Sequence, residues 1–188
     1  MTDRRREFEE LVSPHLDALH GYCLRLARNR PDADDLLQEG LYKSFRGLAG
    51  FERGTHFKAW VFRIVTNAWI SRQRREQRRP LTLELDAVAE VADVAGEEVY
   101  DAETNWGAVY QEVVDDEVKR ALDELPDEFR LPLLLSSLGG LRYKEVAAAL
   151  DLPLGTVMSR LFRARQKLRR ALRDYAADRG IEVTEVSK

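Results

Sequence analysis

Residues 143–175 hold two helical patterns separated by a break, and their polar side chains are of the types that contact DNA. Val146 and Leu150 lie on one face of the first pattern, which the breaker sequence Asp-Leu-Pro at residues 151–153 interrupts. The second pattern repeats apolar residues at spacings of three and four, which places them along one side of a long helix. They are Val157, Leu161, Ala164, Leu168, Leu172 and Tyr175. This arrangement predicts a helix-turn-helix whose second helix enters the major groove of DNA.

The opposite side of the second helix is polar and basic. It carries Thr156, Ser159, Arg160, Arg163, Lys167 and Arg170. An ordinary helical hairpin with a solvated basic face is the alternative interpretation of the same pattern. Residues 158–173 contain seven Arg or Lys and no Asp or Glu, and such a one-sided charge distribution favours the DNA-binding interpretation.

Charge is distributed unevenly along the 188 residues, whose formal net charge is -3. Residues 53–79 contain eight basic residues and one acid, Glu76, whereas residues 81–117 contain twelve acids and no Lys or Arg. The acidic average therefore conceals two cationic surfaces. Because the acidic segment separates these surfaces, we expect the free chain to bind DNA weakly and with strong salt dependence.

A second candidate for nucleic-acid contact is the segment 51–75, which interleaves aromatic and basic side chains. A strand lifted out of a duplex requires π-faces for its bases and cations along its phosphates. The aromatic residues are Phe51, Phe57, Trp60, Phe62 and Trp69, and the basic ones are Arg53, Lys58, Arg63, Arg72, Arg74 and Arg75. Phe57 and Trp60 belong to one apolar helical face, so we assign most of the aromatic residues to the core. The loop at residues 52–56 and Asn67, whose amide both donates and accepts, are better candidates for holding a flipped base.

The sequence lacks the patterns that carry catalysis or metal binding: it has no Gly-rich phosphate loop, no nucleophile–histidine set and no metal-ligand spacing. We therefore expect no enzymatic activity, no metal and no cofactor. Cys23 is the only cysteine, which excludes an intramolecular disulfide, and its helical spacing favours a buried thiol. His56 is interpreted as a polar loop residue. No signal peptide or run of transmembrane length is present, so we expect a soluble cytoplasmic protein without membrane insertion.

Helical periodicity dominates the chain, and no alternating strand pattern is convincing. The expected fold class is all-α, with two small helical domains joined by an acidic linker and the helix-turn-helix in the C-terminal domain. We predict residues 1–79 for the first domain, 80–106 for the linker, 107–180 for the second domain and 181–188 for a tail.

The first two helices of the N-terminal domain are predicted from apolar spacing and capping residues. The first helix runs from Phe8 to about Arg30. Asp32 is predicted to cap the second helix, and Asp34 and Asp35 then fall in its first turn, where the helix dipole favours acids.

Glycine and proline mark the remaining boundaries. Gly40 inside the second helix costs roughly 1 kcal/mol relative to Ala, which indicates either close packing or a partner contact there. Thr55 is predicted to cap a third helix, which Pro80 ends. In the second domain a helix begins at Pro126 and is stopped by the glycine pair at residues 139–140.

Three segments resemble, in sequence and in order, the bacterial extracytoplasmic-function (ECF) sigma factors, which are compact members of the sigma-70 family. They are ADDLLQEGLYKSFR at residues 33–46, FERGTHFKAWVFRIVTNAWISRQRR at residues 51–75, and LPDEFRLPLLLSSLGGLRYKEVAAALDLPLGTVMSRLFRARQKLR at residues 125–169. The resemblance covers nearly the whole chain apart from the acidic linker and the termini. It implies a protein that guides core RNA polymerase to a restricted set of promoters.

The resemblance also implies partners. The segment 33–46 is expected to dock on the clamp helices of the polymerase beta-prime subunit, the beta subunit and promoter DNA are further expected partners, and an anti-sigma factor is expected to hold the protein inactive. The expected docking residues are Asp34, Asp35, Gln38, Glu39 and Lys43. A solvated helix face explains any one of these residues taken singly.

Roles in promoter recognition follow from the same resemblance. For the -10 element the expected DNA-binding residues are Arg53, Thr55, His56, Lys58, Arg63 and Asn67. For the -35 element Ser159, Phe162 and Arg163 are expected at the base edges, and Thr156 and Arg160 near phosphates. Arg163 has the geometry to pair with a guanine, and Phe162 to pack on a thymine methyl group.

A stand-alone helix-turn-helix regulator with an N-terminal effector or dimerisation module is the alternative. Such a protein would not require basic and aromatic residues in its N-terminal half, so the composition of residues 53–79 disfavours it. A purely structural helical adaptor would leave both basic blocks unexplained.

Overall fold

The computed structural model describes residues 2–77 and 116–178. In these two ranges all regular structure is helical, which confirms the all-α fold class. The predicted acidic linker, the start of the second domain and the C-terminal tail lie outside the described residues.

The first predicted helix is in fact two. Helix α1 (Thr2–Val12) and helix α2 (Leu16–Ala27) are separated by a single 3-10 turn at Ser13–His15. Because Pro14 has no N–H, it cannot donate to a carbonyl in the preceding turn, and the apolar spacing continues across the break without revealing it. Helix α2 ends at Arg28, which takes a left-handed conformation with φ of 63° and donates its N–H to the Leu24 carbonyl.

Helix α3 (Arg30–Gly47) begins earlier than predicted, and its cap is Asn29 rather than Asp32. The Asn29 side-chain oxygen accepts the N–H of Asp32 at 2.9 Å, so Asp32 lies inside the first turn. Asp34 and Asp35 therefore fall beyond the first turn. The error arose because Pro31 was placed before the helix, although proline is well suited to its first positions.

Helix α4 (Phe57–Gln77) crosses α3 closely at Gly40. A Cβ at Gly40 would lie 2.5 Å from Cγ2 of the buried Val65, so the close packing predicted for this glycine is confirmed. The start of α4 differs from the prediction: the first helical hydrogen bond runs from the N–H of Trp60 to the carbonyl of His56, and the hydroxyl of Thr55 donates to the Glu52 carbonyl instead of capping α4.

A buried polar pair aligns α2 with α4. The Thr66 hydroxyl donates to the Phe62 carbonyl at 2.7 Å, which leaves its oxygen to accept the Tyr22 hydroxyl at 2.8 Å. Because both side chains are satisfied, their burial costs little. Cys23 lies beside them with no exposed surface, and burial raises the pKa of its thiol to about 12, which confirms the expected buried thiol.

The C-terminal domain consists, in the described residues, of α5 (Asp116–Asp123), α6 (Asp127–Ser137), α7 (Tyr143–Leu150), α8 (Leu154–Ala171) and α9 (Arg173–Asp178). Helix α6 starts after Pro126 and ends before the glycine pair at residues 139–140, as predicted. Helices α7 and α8 form the predicted helix-turn-helix. The apolar pattern that predicted one helix through Tyr175 is interrupted at Leu172, which ends α8.

The two domains contact each other through these helices. Helix α7 packs against α4, and α6 packs against α2. The core of buried side chains is consequently continuous across both domains.

Gly40→Ala tests the crossing of α3 and α4. Val65 is β-branched and fully buried, so its methyl group cannot rotate away cheaply, and we expect a steric cost of about 1–3 kcal/mol. Alanine gains roughly 1 kcal/mol in a helix interior, so the expected net loss is at most about 2 kcal/mol. Urea unfolding should therefore show a net loss of stability, which Val65→Ala in the same chain partly reverses.

Gly47→Ala is the matched control, because a Cβ at Gly47 would meet the Trp60 ring at 3.5 Å, an ordinary contact. It should leave stability unchanged or raised. Equal effects of the two glycine substitutions would contradict a steric constraint at Gly40.

Candidate nucleic-acid interface

The turn between α7 and α8 fixes how the helix-turn-helix presents its second helix. Asp151 takes a left-handed conformation with φ of 55°, and the N–H of Leu152 reaches back to the Ala147 carbonyl at 3.0 Å. Pro153 then supplies the carbonyl that accepts the N–H of Val157 at 3.1 Å and so starts α8. Since both ends of the turn are hydrogen-bonded, the direction of α8 is set locally.

The inner side of α8 is apolar and buried. Val157, Leu161 and Ala164 are at most 1% exposed, and they pack α8 against α6. Phe162 points the other way and is 48% exposed, which is unusual for so large an apolar side chain. An exposed aromatic ring on a basic helix is suited to packing on a base.

Ser159 and Arg163 flank Phe162 on the outer side of α8. Both are half-buried, and the Ser159 hydroxyl donates to the Thr156 carbonyl at 3.0 Å. The three residues expected at base edges therefore lie on neighbouring turns of one helix face.

Thr156 and Arg160 do not lie at the surface. Their exposed fractions are 4% and 1%, and Arg160 is among the largest fully buried side chains in the described residues. Their expected phosphate contacts stay a prediction, and in this conformation both side chains are buried. Sequence analysis placed both residues on the polar side of α8, and their burial depends on how α8 packs against α6 and α7, which local spacing does not reveal.

The loop at residues 51–56 is packed by its first residue, Phe51, against the aromatic rings of Phe57 and Trp60. The ring of Phe51 lies 5.3 Å from that of Phe57 and 5.1 Å from that of Trp60. Phe57 and Phe62 are buried, and Trp60 is half-buried, which confirms that most of these aromatic residues belong to the core.

On the solvent side of these aromatic rings, the loop exposes its polar side chains. Gly54 has φ of 95°, which turns the chain tightly, and the N–H of Thr55 reaches the Glu52 carbonyl at 3.2 Å. Arg53 is held by Glu7 of α1, with Nη2 at 2.6 Å and Nε at 2.9 Å from the same carboxylate oxygen. The loop is thus held in part by Glu7, a residue of α1 that lies outside the loop.

His56 is held by the C-terminal domain. Its Nε2 lies 2.8 Å from Nη2 of Arg142, and its Nδ1 lies 3.5 Å from Oε1 of Glu145. Because arginine can only donate, Nε2 is the acceptor and Nδ1 carries the proton on the side of Glu145. Sequence reasoning missed Arg142 and Glu145, since nothing local indicates a contact 86 residues away.

Further along α4 the remaining residues expected at the -10 element are exposed. Arg63 and Asn67 are both at the surface, four residues apart and hence on one face of the helix. Lys58 is half-buried, and that burial lowers the pKa of its ammonium group.

Helix α3 displays the residues expected to dock on polymerase. Asp35, Gln38 and Lys43 are exposed, and Lys43 pairs with Glu39 at 2.6 Å. The fifth, Asp34, is half-buried, and its Oδ1 lies 3.0 Å from Nε2 of His20 on α2.

Tyr42 belongs to the same face and was missed by sequence reasoning. It is 61% exposed, four residues after Gln38, and the guanidinium carbon of Arg46 lies 5.9 Å from its ring centre. An exposed aromatic residue among charged neighbours is typical of a protein contact site. The four-residue spacing between Gln38 and Tyr42 was the sequence signal that could have identified Tyr42.

Comparison with known proteins identifies the family. Residues 11–79 match the family model for Sigma-70 region 2, and residues 115–168 match that for Sigma-70, region 4. The chain is 35% identical over 179 residues to the ECF RNA polymerase sigma factor SigE of Mycolicibacterium smegmatis, covering 95% of this chain and 65% of that protein. It is 30% identical over 170 residues to the RNA polymerase sigma-H factor of Pseudomonas aeruginosa, covering 89% and 87% respectively.

Solved structures agree with this assignment. The sigma factor RpoE from Bartonella quintana, in complex with the anti-sigma factor NepR, matches with a TM-score of 0.66 and 26% identity over 89% of this chain and 98% of that chain. CnrH in complex with the cytosolic domain of CnrY matches with a TM-score of 0.64 and 26% identity, over 90% of each chain. The chain therefore belongs to the ECF sigma factors of the sigma-70 family, which are initiation factors and not enzymes. In the part of the chain that the structure describes, none of the helices has the length and apolar character needed to span a bilayer.

Arg160→Ala and Arg163→Ala compare the loss of stability on truncating a buried and a half-buried arginine of α8. Truncating a fully buried side chain of this size should lower the free energy of unfolding by more than about 2 kcal/mol, because the space it filled is left empty. The half-buried Arg163 should cost less than about 1 kcal/mol. Urea unfolding followed by circular dichroism measures both, and equally small losses would contradict the burial of Arg160.

Proposed function

We propose that this chain directs core RNA polymerase to a restricted set of promoters by reading their -35 and -10 elements with its two domains. The observation that carries this proposal is the order of the two matched regions: a region-2 segment with a basic, polar loop and helix precedes a region-4 helix-turn-helix in one chain. A stand-alone regulator would not need the first of these. We propose that the chain acts in the cytoplasm.

The -35 element is read by the outer face of α8. Ser159, Phe162 and Arg163 face a groove together, with Arg163 placed to donate to a guanine and Phe162 to pack on a thymine methyl group. We assign Thr156 and Arg160, which are buried here, to holding α8 in position.

The -10 element is opened and held by the loop at residues 52–56 and the exposed face of α4. Arg53, Lys58 and Arg63 supply charge along the phosphates, while Thr55, His56 and Asn67 supply donors and acceptors for a base taken out of the stack.

Core polymerase docks on α3. Asp34, Asp35, Gln38, Glu39 and Lys43 provide the polar contacts, and we add Tyr42 as an apolar anchor among them. The beta-prime clamp helices and the beta subunit are the proposed polymerase surfaces. An anti-sigma factor is a further proposed partner, because the similar sigma factor RpoE was solved in complex with the anti-sigma factor NepR.

Run-off transcription tests the function directly. Core polymerase is incubated with the chain and a library of short genomic fragments, and the transcripts are sequenced to obtain the preferred promoter. Transcripts that start at shared -35 and -10 sequences only when the chain is present support the proposal. If adding the chain leaves transcription unchanged, the proposal fails. The remaining interpretation is then a regulator that binds DNA by itself.

Arg163→Ala should cost about 1–3 kcal/mol in holoenzyme binding to the selected promoter and relax the preference at one -35 position. Arg169→Ala is the matched control, since it removes an equal charge from an exposed position on α8. Arg169→Ala should weaken binding to all promoter sequences slightly. It should also lower the slope of log affinity against log salt concentration by about one. Competition binding against a -35 substitution library compares them, and identical, sequence-independent losses would remove the base-reading role from Arg163.

Asn67→Ala should reduce promoter opening while leaving recognition of the -35 element intact, because the amide is placed to hold an unstacked base rather than the duplex. Permanganate reactivity of unpaired thymines in the holoenzyme complex reports opening. Ser71→Ala, an exposed position one turn further along α4, serves as the control. Undiminished reactivity with Asn67→Ala would contradict the assigned role.

A further inference from the structure

A cavity of about 280 Å³ lies between the end of α2, the start of α3 and helix α5. Its volume is close to the roughly 300 Å³ at which small-molecule sites begin. The titratable side chains that line it are all basic: His20, Arg25, Arg28, Arg30 and Lys119. Arg28 and Arg30 are exposed, so this rim of the cavity is open to solvent. No Asp or Glu is among the described residues that line the cavity.

Three carboxylates lie close to these cations and balance three of them. The pairs, with their N···O distances, are Lys119 with Asp116 at 3.0 Å, Arg28 with Asp123 at 3.8 Å and Arg30 with Asp34 at 3.9 Å. The two longer distances exceed that of a hydrogen bond, so these two pairs are loose. Asp34 is also shared, because its Oδ1 lies 3.0 Å from Nε2 of His20. The carboxylates therefore balance most of the local charge from positions outside the cavity lining.

Arg25 is the cation of the cavity that has no carboxylate within the described part of the chain. Its side chain is half-buried, and its Nη1 has no exposed surface and no hydrogen-bond partner among the described residues. The charge of this guanidinium is thus neither paired there nor fully hydrated, which is unfavourable for a cation. An anion in the cavity would compensate it, whereas water would supply no opposite charge.

A neighbouring cavity of about 200 Å³, which Arg28 also lines, provides a comparison. It too contains arginines, but the carboxylates of Asp32 and Asp127 belong to its lining. Arg72 lies 3.2 Å from Asp32, and Arg130 lies 2.9 Å from Asp127. The charges of the smaller cavity are therefore largely balanced within its own wall. Of the two cavities, the larger one has the excess positive charge that selects an anion.

The uncharged part of the larger cavity determines what kind of anion fits. Gly21 and Leu24 of α2 line it beside the cations and present little polar surface. A phosphoryl group has about two negative charges and three strong acceptor oxygens, so it can accept from several cationic side chains at once. The apolar wall at Leu24 favours a ligand that carries carbon atoms next to the phosphoryl group.

We propose that this cavity binds a small organic phosphate, with the phosphoryl group held by Arg25, Arg28 and Lys119 and the organic part against Leu24. The ligand is a small molecule and not a nucleic-acid backbone, because the cavity lies between helices of both domains and has the volume of a small-molecule site. None of the basic residues that line it belongs to the sets proposed for the -35 element, the -10 element or polymerase docking. The site is consequently independent of the proposed function.

Isothermal titration calorimetry of the full chain tests the site, with propyl phosphate and inorganic phosphate as probes and propanol as the uncharged control. The buffer is free of phosphate, and its ionic strength is held constant. We expect saturable binding of one propyl phosphate per chain, several-fold tighter than that of inorganic phosphate, and no binding of propanol. Absence of saturable binding overturns the site, and equal affinity for the two phosphates overturns the assignment of an organic ligand.

Arg25→Met is the decisive variant, because methionine keeps the length and helix propensity of arginine and removes its charge. It should weaken propyl phosphate binding about tenfold or more, since a charge-assisted hydrogen bond is lost. Without ligand, the urea midpoint of this variant should be unchanged or higher, because an unpaired, partly buried charge is gone. An arginine with a merely structural role would instead lose stability on this change, so a clear fall in the midpoint overturns the proposal.

Arg169→Met is the matched control, since it makes the same change at an exposed position on α8. It should leave the affinity for propyl phosphate unaltered, and equal losses in the two Met variants would show non-specific attraction and overturn the site. Lys119→Ala tests the opposite wall and should weaken binding several-fold, whereas undiminished binding removes α5 from the site and overturns the proposal. Displacement of propyl phosphate by promoter DNA, with the same dependence on Arg25, would identify the phosphate source as DNA and overturn the small-molecule assignment.

Discussion

Helices α3 and α4 cross closely at Gly40, and the geometry of the N-terminal domain depends on this crossing. With no side chain at Gly40, the buried Val65 can pack directly on the α3 backbone. Helix α3 carries the proposed polymerase-docking face, and α4 carries the proposed DNA-reading face. Because the two helices share a tightly packed crossing, their outer faces keep a fixed relation to each other. Docking of polymerase on one face therefore sets where a DNA strand meets the other.

Some of the arginines that create the first basic block make contacts within the protein. Arg72 lies 3.2 Å from Asp32, and Arg75 donates to the Ser71 carbonyl at 3.3 Å. A count of charges along the chain consequently overstates the number of cations presented to phosphate. The same pairing explains how an acidic protein keeps basic helices folded in the absence of DNA, since paired arginines do not repel their neighbours.

Local signals predicted the helix-turn-helix and the break at residues 151–153, although its second helix ends at Leu172 and not beyond Tyr175. The left-handed Asp151 and the following Pro153 end one helix and start the next through short-range hydrogen bonds, which sequence patterns encode directly. The burial of Arg160 and the contact of Arg142 with His56 could not be predicted in this way, because each depends on which helices meet in space. The mistaken cap at Asp32 has a third origin: Pro31 was placed before the helix, whereas it occupies one of the first helical positions, so the cap is Asn29.

The loop that leads into α4 and the outer face of α3 differ in what surrounds them. His56 in the loop contacts Arg142 of the C-terminal domain, whereas Asp35, Gln38 and Tyr42 on α3 remain exposed. The proposed polymerase-docking face is therefore accessible in this conformation without any change in the contact between the domains. Because α3 and α4 share the close crossing at Gly40, a partner bound on α3 would keep a fixed position relative to the loop that leads into α4.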